Sequence, residues 1–160
     1  MINRRQAIMY TTGLILVPSA IISCGLDEKT IIDPPPLSKL KSWEERAKQL
    51  EDYGLVKSRE NGSANGATEE DIKIHVPKVT FGSNSLGISV NHSMTPDHYI
   101  TTIYIKDQDD KIFGLKELLP ITDKIPYAEF GVPKGTTSIS AFSFCNVHNH
   151  WCEKVPMQHQ

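Results

Sequence analysis

The chain has 160 residues, of which 39% are hydrophobic and 22% are charged. This length and composition suit one compact, water-soluble domain with extensions. The formal net charge of -2 gives no electrostatic reason to expect nucleic acid as a partner.

The N-terminus has the layout of a secretory signal, with Arg4-Arg5 followed by a short apolar run and then small residues. The adjacent arginines resemble a twin-arginine export signal. The ending Ile21-Ile22-Ser23-Cys24 resembles a bacterial lipobox, in which Cys24 carries the lipid. A single transmembrane anchor is the alternative, but the stretch 6–23 is short and contains polar residues. We therefore predict a signal peptide over 1–23 and a periplasmic protein anchored to the membrane through lipidated Cys24.

The next part of the chain carries little core-forming sequence. We predict a linker over 24–41, because Pro34-Pro35-Pro36 favours a stiff, extended backbone. A capping box formed by Ser42 and Glu45, together with Gly54 as a stop signal, predicts one short helix. A polar, glycine-rich segment follows. Residues 42–70 are thus predicted as a short helix and a flexible loop.

From residue 71 onward the sequence changes to short segments rich in β-branched and aromatic residues. Turn signals such as Pro133-Lys134-Gly135 separate them. Closely spaced short strands predict an all-β domain over 71–160, an antiparallel β-sandwich of about seven strands. The predicted strands are 78–81, 86–90, 99–105, 111–115, 127–132 and 138–144.

Histidine and cysteine residues near the ends of these strands suggest a metal site. Cys145 and His148 form a Cys-x-x-His chelate, and His92 and His98 share one loop. His75 precedes the first strand of the domain. A thiolate combined with imidazoles suits iron, copper or zinc and argues against calcium or magnesium. The spacing predicts a metal site and leaves the metal open.

Two alternatives use the same residues differently. An oxidising compartment would permit a disulfide between Cys145 and Cys152. A blue-copper electron carrier would use Cys145, His148, one upstream histidine and Met157 as the axial ligand.

Three segments resemble, in order, the motifs of superoxide reductases and desulfoferrodoxins. The family's His-Val-Pro is matched by His75-Val76-Pro77, and its His-Pro-Met-x-x-x-His-Tyr-Ile resembles residues 92–100. Its Cys-Asn-x-His-Gly-x-Trp resembles residues 145–151. The resemblance covers roughly residues 72–152. No Cys-x-x-Cys module occurs in the sequence, so the likeness is to the single-iron, neelaredoxin-like branch.

This resemblance implies an immunoglobulin-like sandwich that holds one mononuclear iron and reduces superoxide to hydrogen peroxide. The sixth iron position would be open to a small anion, and an external redox donor would supply the electron. The donor's identity is left open, as is assembly into a homo-oligomer. The implied ligands are the imidazoles of His75, His92, His98 and His148 and the thiolate of Cys145.

The sequence departs from the family just before His75. The family has Glu-Lys there, whereas this chain has Lys73-Ile74, and on a strand a shift of one residue turns a side chain to the other face. We predict catalytic roles for Lys73, which would attract the anion, and for Glu70, with Glu69 and Asp71 as alternative carboxylates. Because capture of superoxide would be slower without a positioned cation, a non-enzymatic iron-binding or electron-transfer protein remains an alternative.

A milder departure lies in the chelating turn, where Asn149 replaces the family's glycine. Asparagine tolerates left-handed backbone geometry. We therefore expect the turn to be preserved.

Overall fold

The structure, a computed structural model, describes residues 42–157. The predicted signal peptide, the twin-arginine pair, the linker and Cys24 lie outside these residues, as does His159. None of the helices in the described part has the length and hydropathy needed to span a bilayer.

The described residues form two β-sheets and two short α-helices, with a 3-10 turn at Ser63–Asn65. The six strands expected from sequence are confirmed to within two residues at each end. The bounds are α1 Trp43–Glu51, β1 Lys57–Ser58, α2 Glu69–His75, β2 Lys78–Phe81, β3 Ser85–Ser89, β4 Ile100–Asp107, β5 Ile112–Glu117, β6 Tyr127–Gly131, β7 Ser138–Cys145 and β8 Asn149–Pro156.

The strands are arranged as a sandwich, which confirms the predicted fold class. One sheet has the order β1-β8-β7-β4-β5 and the other has the order β2-β3-β6. All pairs are antiparallel except β1 with β8, where Lys57 lies beside Trp151. The strand β8 is absent from the sequence-based prediction, which treats residues 145–152 as a metal-binding segment.

The central strand β4 is buried on both faces. Ile103 and Ile105 pack in the core between the sheets, together with Leu86. Tyr104, between them, points to the opposite face and packs with Leu50 of α1 and other apolar side chains. The short helix α1 therefore covers the outer face of the five-stranded sheet.

Helix α1 begins as predicted, because the Ser42 side chain accepts a hydrogen bond from the Glu45 backbone N–H at 3.2 Å. Arg46, which is 3% exposed, forms an ion pair with Glu117 of β5, with a shortest N···O distance of 2.6 Å. The Thr102 hydroxyl also donates to Glu117 at 2.8 Å. These contacts fix the helix to the sheet.

Replacing Arg46 with alanine should lower the free energy of unfolding by about 3 kcal/mol, because the mostly buried Glu117 carboxylate would lose its charged partner. Urea denaturation of the metal-free protein measures this loss. Lys48→Ala, at an exposed position of the same helix, should change stability by less than about 0.5 kcal/mol. Equal losses in the two variants would contradict a stabilising role for the ion pair.

Helix α2 lies where the sequence predicts the end of a loop followed by extended chain. Its N-terminus has a complete capping box, in which Thr68 and Asp71 exchange side-chain and backbone hydrogen bonds. The T-x-x-D signal is present in the sequence, but the helix spans only seven residues. Lys73 and Ile74 are therefore on a helix and not on a strand, so helical periodicity decides which way their side chains point.

Candidate metal centre

Five side chains converge at one end of the sandwich, which we call the metal end. Their ligand atoms all lie within 4.8 Å of one another. Strand β4 begins at this end, β7 finishes there and β8 starts there. The convergence predicted from sequence is confirmed for all five residues: His75, His92, His98, Cys145 and His148.

Each element delivers its ligand from a terminus. His75 is the last residue of α2 and is fully buried. His92 follows β3, and His98 precedes β4. Cys145 is the last residue of β7, and His148 lies in the turn that leads to β8. The centre is thus supported by packed strands and a helix on several sides.

Four imidazole nitrogens have the spacing of ligands around one ion. The Nε2 atoms of His92 and His98 are 3.0 Å apart, and His98 Nε2 lies 3.1 Å from His148 Nδ1. His148 Nδ1 lies 2.9 Å from His75 Nε2. Four nitrogens bound at right angles, each about 2.1 Å from an ion, would be separated by about 3.0 Å. The residues present therefore fit a metal held by four imidazoles.

Hydrogen bonds orient two of the rings for ligation. The Nδ1–H of His75 donates to the Asp71 carbonyl at 2.7 Å, and the Nδ1–H of His92 donates to the Ser93 carbonyl. A carbonyl can only accept, so in each ring Nε2 carries the bare lone pair that faces the centre. Burial lowers the pKa of His75 to about 3 and also lowers the pKa of His92. Both rings are therefore neutral near pH 7, as ligation requires.

The sulfur is set apart from the four nitrogens. Cys145 Sγ lies 3.7 Å from His92 Nε2 and 3.8 Å from His148 Nδ1. The backbone N–H groups of Val147 and His148 point at this sulfur from 3.5 Å and 3.4 Å. Such donors favour the thiolate over the thiol. Four nitrogens and one soft sulfur are a donor set for iron, copper or zinc.

The turn between β7 and β8 has the geometry expected from sequence. Asn149 has a φ of 61°, in the left-handed region, which confirms that asparagine takes the place of glycine there. Asn146 ties the turn to the loop of His98: its Oδ1 accepts from the Tyr99 N–H at 2.9 Å, and its Nδ2 donates to the Asp97 carbonyl at 3.0 Å. Sequence reasoning gave Asn146 no role, although it lies next to the cysteine.

Trp151 supports two ligands at once, which sequence reasoning also missed. Its ring stacks on His75 with a centroid distance of 4.9 Å and an interplanar angle of 12°. Its Nε1–H donates to the His148 carbonyl at 3.1 Å. Lys57 of β1 lies over the indole ring, with its Nζ 5.4 Å from the ring centroid.

Glu70 and Lys73 lie outside the cluster. Their side chains are 67% and 68% exposed and form an ion pair at 3.5 Å. At about 100° per residue, both lie on the side of α2 opposite His75. Asp71 shares the face of His75. Its carboxyl pKa is lowered, first by a hydrogen bond from Thr68, with further contributions from His148 and His75. Catalytic roles for Glu70 and Lys73 stay predictions.

The structure argues against both alternative uses of the cysteines. In the described part of the chain neither Cys145 nor Cys152 forms a disulfide. Met157 follows β8 at the end opposite to Cys145, where its N–H donates to the Thr137 carbonyl at 2.8 Å. The axial ligand required by the blue-copper alternative is therefore not beside the cluster.

His150 lies outside the cluster of five ligands and is buried beneath α1. Its Nε2 lies 2.8 Å from the Tyr104 hydroxyl, which donates to Glu51 at 2.9 Å. Burial, together with the charge of Lys106, lowers the pKa of His150 to about 3.

The stability of the metal-free protein should fall as the pH is lowered from about 6.5 towards 3. His75 and His150 bind protons near pH 3 in the folded state and near 6.5 in the unfolded chain. These two histidines contribute fully to the free energy of unfolding above pH 6.5. As the pH falls below 6.5, each histidine lowers that free energy by up to about 1.4 kcal/mol per pH unit. Urea denaturation between pH 5 and 7 measures this slope. His150→Leu should remove the share of one histidine, and an unchanged slope would contradict the argument.

The sequence and the structure are similar to those of known proteins. The protein-family model "Desulfoferrodoxin" matches residues 66–154. A curated desulfoferrodoxin of Clostridium acetobutylicum is 34% identical over 80 residues, which are 48% of this chain and 58% of the relative. The chain thus spans less than two thirds of that relative's length.

The fold is similar to that of a solved structure with a TM-score above 0.5, and a second solved structure is more similar in sequence. The neelaredoxin-type superoxide reductase of Ignicoccus hospitalis is 18% identical, with a TM-score of 0.54 covering 75% of this chain and 100% of that one. The superoxide reductase of Treponema pallidum is 30% identical, with a TM-score of 0.47 covering 55% of this chain and 72% of that one.

Proposed function

Because this chain belongs to the desulfoferrodoxin family, we propose that it is a mononuclear iron protein that reduces superoxide to hydrogen peroxide. The observation that carries the proposal is the set of four imidazole nitrogens, neighbours of which are 2.9–3.1 Å apart, with one sulfur set apart from them. The names of the relatives, a desulfoferrodoxin and superoxide reductases, support the same chemistry.

An iron bound by these residues would supply one-electron redox chemistry. The reaction consumes one superoxide, one electron from an external donor and two protons, and yields one hydrogen peroxide. Among residues 42–157 the cluster contains no sixth ligand. The rings of His98 and His148 are partly exposed, so a small anion would reach a bound iron from solvent on their side.

The protein's own groups prepare the site before any anion arrives. The carbonyls of Asp71 and Ser93 fix the tautomers of His75 and His92. The N–H groups of the turn hold negative charge on Cys145. Because these donors and acceptors are backbone groups held in place by the fold, the site would need little reorganisation to hold iron.

The location of the protein is a further part of the proposal. The twin-arginine pair, the apolar segment and the lipobox-like ending at Cys24 support export to the periplasm and anchoring by a lipid. Mass spectrometry of the N-terminal peptide tests this, and a Cys24→Ala variant should leave the membrane fraction.

Metal analysis and product analysis test the function. The purified protein should contain about one iron per chain, and a superoxide flux with an electron donor should give one peroxide per superoxide consumed. Dismutation would give half that yield. An iron-loaded protein that leaves the superoxide flux unchanged would favour the non-enzymatic alternative and overturn our proposal.

We expect Lys73→Ala to slow the capture of superoxide, by about tenfold or less, because an exposed charge paired with Glu70 attracts anions weakly. Pulse radiolysis at two salt concentrations measures the second-order rate constant. Lys134→Ala removes the same charge at an exposed turn away from the metal end. Equal rates for the two variants would show that Lys73 has no role, and a comparison of Glu70→Ala with Asp71→Asn would identify the carboxylate that matters.

A further inference from the structure

A lysine lies over the tryptophan that supports the metal centre. Lys57 Nζ is 5.4 Å from the centroid of the Trp151 ring, a distance at which an ammonium group is attracted to an aromatic face. The same ring stacks on His75 with a centroid distance of 4.9 Å. A cation, an indole and an imidazole ligand are therefore joined by consecutive contacts, and we call Lys57, Trp151 and His75 the cation stack.

Strand β1 fixes the backbone position of Lys57. The strand pairs in parallel with β8, and Lys57 lies directly beside Trp151 in that register. The Asn61 side chain holds the backbone on both sides of the lysine. Its Oδ1 accepts from the Ser58 N–H at 2.7 Å, and its Nδ2 donates to the Val56 carbonyl at 3.2 Å. Strand pairing and these two hydrogen bonds thus hold the lysine beside the indole.

The charge of Lys57 is not neutralised within the described part of the chain. None of the ion pairs formed among residues 42–157 includes Lys57, and the residue is only partly exposed. The side chain of Lys73, by contrast, is 68% exposed and paired with Glu70. At a given distance, a partly buried cation without an acidic partner exerts a stronger field than an exposed, paired one, because solvent and the partner screen it less.

The ammonium group is close enough to the metal centre to act on its charge. The two contacts place Nζ no more than about 10 Å from the centre of the His75 ring, a separation at which Coulomb interactions persist in a partly buried site. Ferric iron carries one more positive charge than ferrous iron. A nearby cation therefore destabilises the ferric form more than the ferrous form.

We propose that Lys57 raises the reduction potential of the iron centre, because the Trp151 ring holds its positive charge close to the ligand His75. The inference rests on the proposed iron centre. Lys57 touches neither the ligand cluster nor the substrate, so it is not a catalytic residue. It lies before residues 66–154, which match the family, so the family match does not supply this role.

The charge would favour the oxidation state that the proposed reaction consumes. Superoxide takes its electron from ferrous iron, and one electron from the external donor then converts ferric iron back to ferrous iron. A higher reduction potential makes this second transfer more favourable. A donor of a given potential therefore restores a larger fraction of ferrous iron when the cation is present.

Lys57→Met tests the proposal, because methionine removes the charge and keeps an unbranched apolar side chain. The full-length, iron-loaded protein is poised with mediators at the midpoint potential of the wild type, and the sulfur-to-iron absorption band reports the ferric fraction. At about 10–14 Å in a partly buried site, loss of one unit charge should lower the ferrous-to-ferric ratio by about fivefold. Lys57→Arg keeps the charge and can stack on the indole, so its ratio should change by less than about twofold.

Lys134→Met is the matched control, because it removes the same charge from the exposed turn between β6 and β7. Strand β7 runs from that turn to Cys145, so the turn lies at the end of the sandwich away from the ligands. The ferrous-to-ferric ratio of Lys134→Met should equal that of the wild type. An equal fall in Lys134→Met and Lys57→Met would overturn the proposal, since net charge alone would then explain the effect.

Iron affinity separates an electrostatic role from a structural one. If Lys57 served only to pack on Trp151, its removal would weaken the binding of ferrous and ferric iron alike. An electrostatic role requires that ferric iron gains about fivefold in affinity relative to ferrous iron, because the two affinities and the potential form a thermodynamic cycle. Chelator competition in each oxidation state measures both affinities, and equal changes would overturn the proposal.

Failure of this inference and failure of the proposed function give different results. A wild type that binds no iron would overturn both. If the wild type binds iron and shows the sulfur-to-iron band, an unchanged ratio in Lys57→Met would overturn the role of Lys57 and leave the proposed function standing. Circular dichroism establishes that each variant is folded before the comparison is made.

Discussion

Cys145→Ser is expected to abolish the sulfur-to-iron absorption band of the oxidised protein and to weaken iron binding by about 100-fold or more. The hydroxyl of serine is a harder, much less acidic ligand than a thiol, so the strong thiolate donor to a bound iron would be lost. Loss of an outer hydrogen-bonding partner typically costs 10–100-fold in metal affinity, and loss of a ligand should cost at least as much. Visible spectra and competition with a chelator measure both effects.

Cys152→Ser is the matched control for this prediction. Cys152 is also buried on a strand of the same sheet, but it packs in the cluster beneath α1. Burial raises the pKa of the Cys152 thiol to about 11, so it stays protonated near neutral pH. Cys152→Ser should leave the spectrum intact. An unchanged spectrum in Cys145→Ser would contradict sulfur ligation and with it the proposed iron centre.

The two cysteines differ in their sequence context, and this difference shows which metal ligands could be predicted from sequence spacing. Cys145 is followed by a histidine three residues later, and the same spacing produces the turn whose N–H groups point at its sulfur. Short-range spacing therefore identified this ligand and His148. His75 lies at the end of α2, whereas His92 and His98 lie in the β3–β4 loop, so the convergence of these histidines with Cys145 was predicted from the order of three motifs and not from spacing.

The missed elements have a common physical cause. The α2 helix is too short to show a full amphipathic period, and its stability comes from its cap and from packing of Ile72 and Val76 against Trp151. Packing partners of this kind are distant in sequence. Strand β8 was not predicted from the sequence, because the residues of its first half also belong to the metal-binding motif, which suggested a loop.

The role of the extension before residue 66 could not be derived from its pattern. The capping box of Ser42 correctly predicted helix α1. It could not indicate that Leu50 would cover Tyr104 and Phe144, or that Glu51 would join a buried network with Tyr104 and His150. The family match begins at residue 66, so this cover on the outer face of the sheet lies outside the matched residues.

Trp151→Leu is expected to weaken both the fold and the metal centre. Trp151 is fully buried between α2 and β1, so removal of its ring should lower the free energy of unfolding by about 3 kcal/mol or more. The same change removes the stacking partner of His75 and the N–H donor to the His148 carbonyl. Because ring orientation would no longer be fixed, iron affinity should fall by about 10–100-fold.

Two further variants separate packing from orientation at this position. Trp151→Phe keeps an aromatic face against His75 but lacks the N–H group, so it should retain more stability than Trp151→Leu and still show weakened iron binding. Trp43→Leu, at a half-exposed tryptophan, should change stability by less than about 0.5 kcal/mol and leave the iron unaffected. Urea denaturation of the metal-free protein and chelator competition of the loaded protein give the two quantities independently. If Trp151→Leu lost stability but bound iron as tightly as the wild type, Trp151 would support the fold alone, and the orientation of His75 would rest on its hydrogen bond to the Asp71 carbonyl.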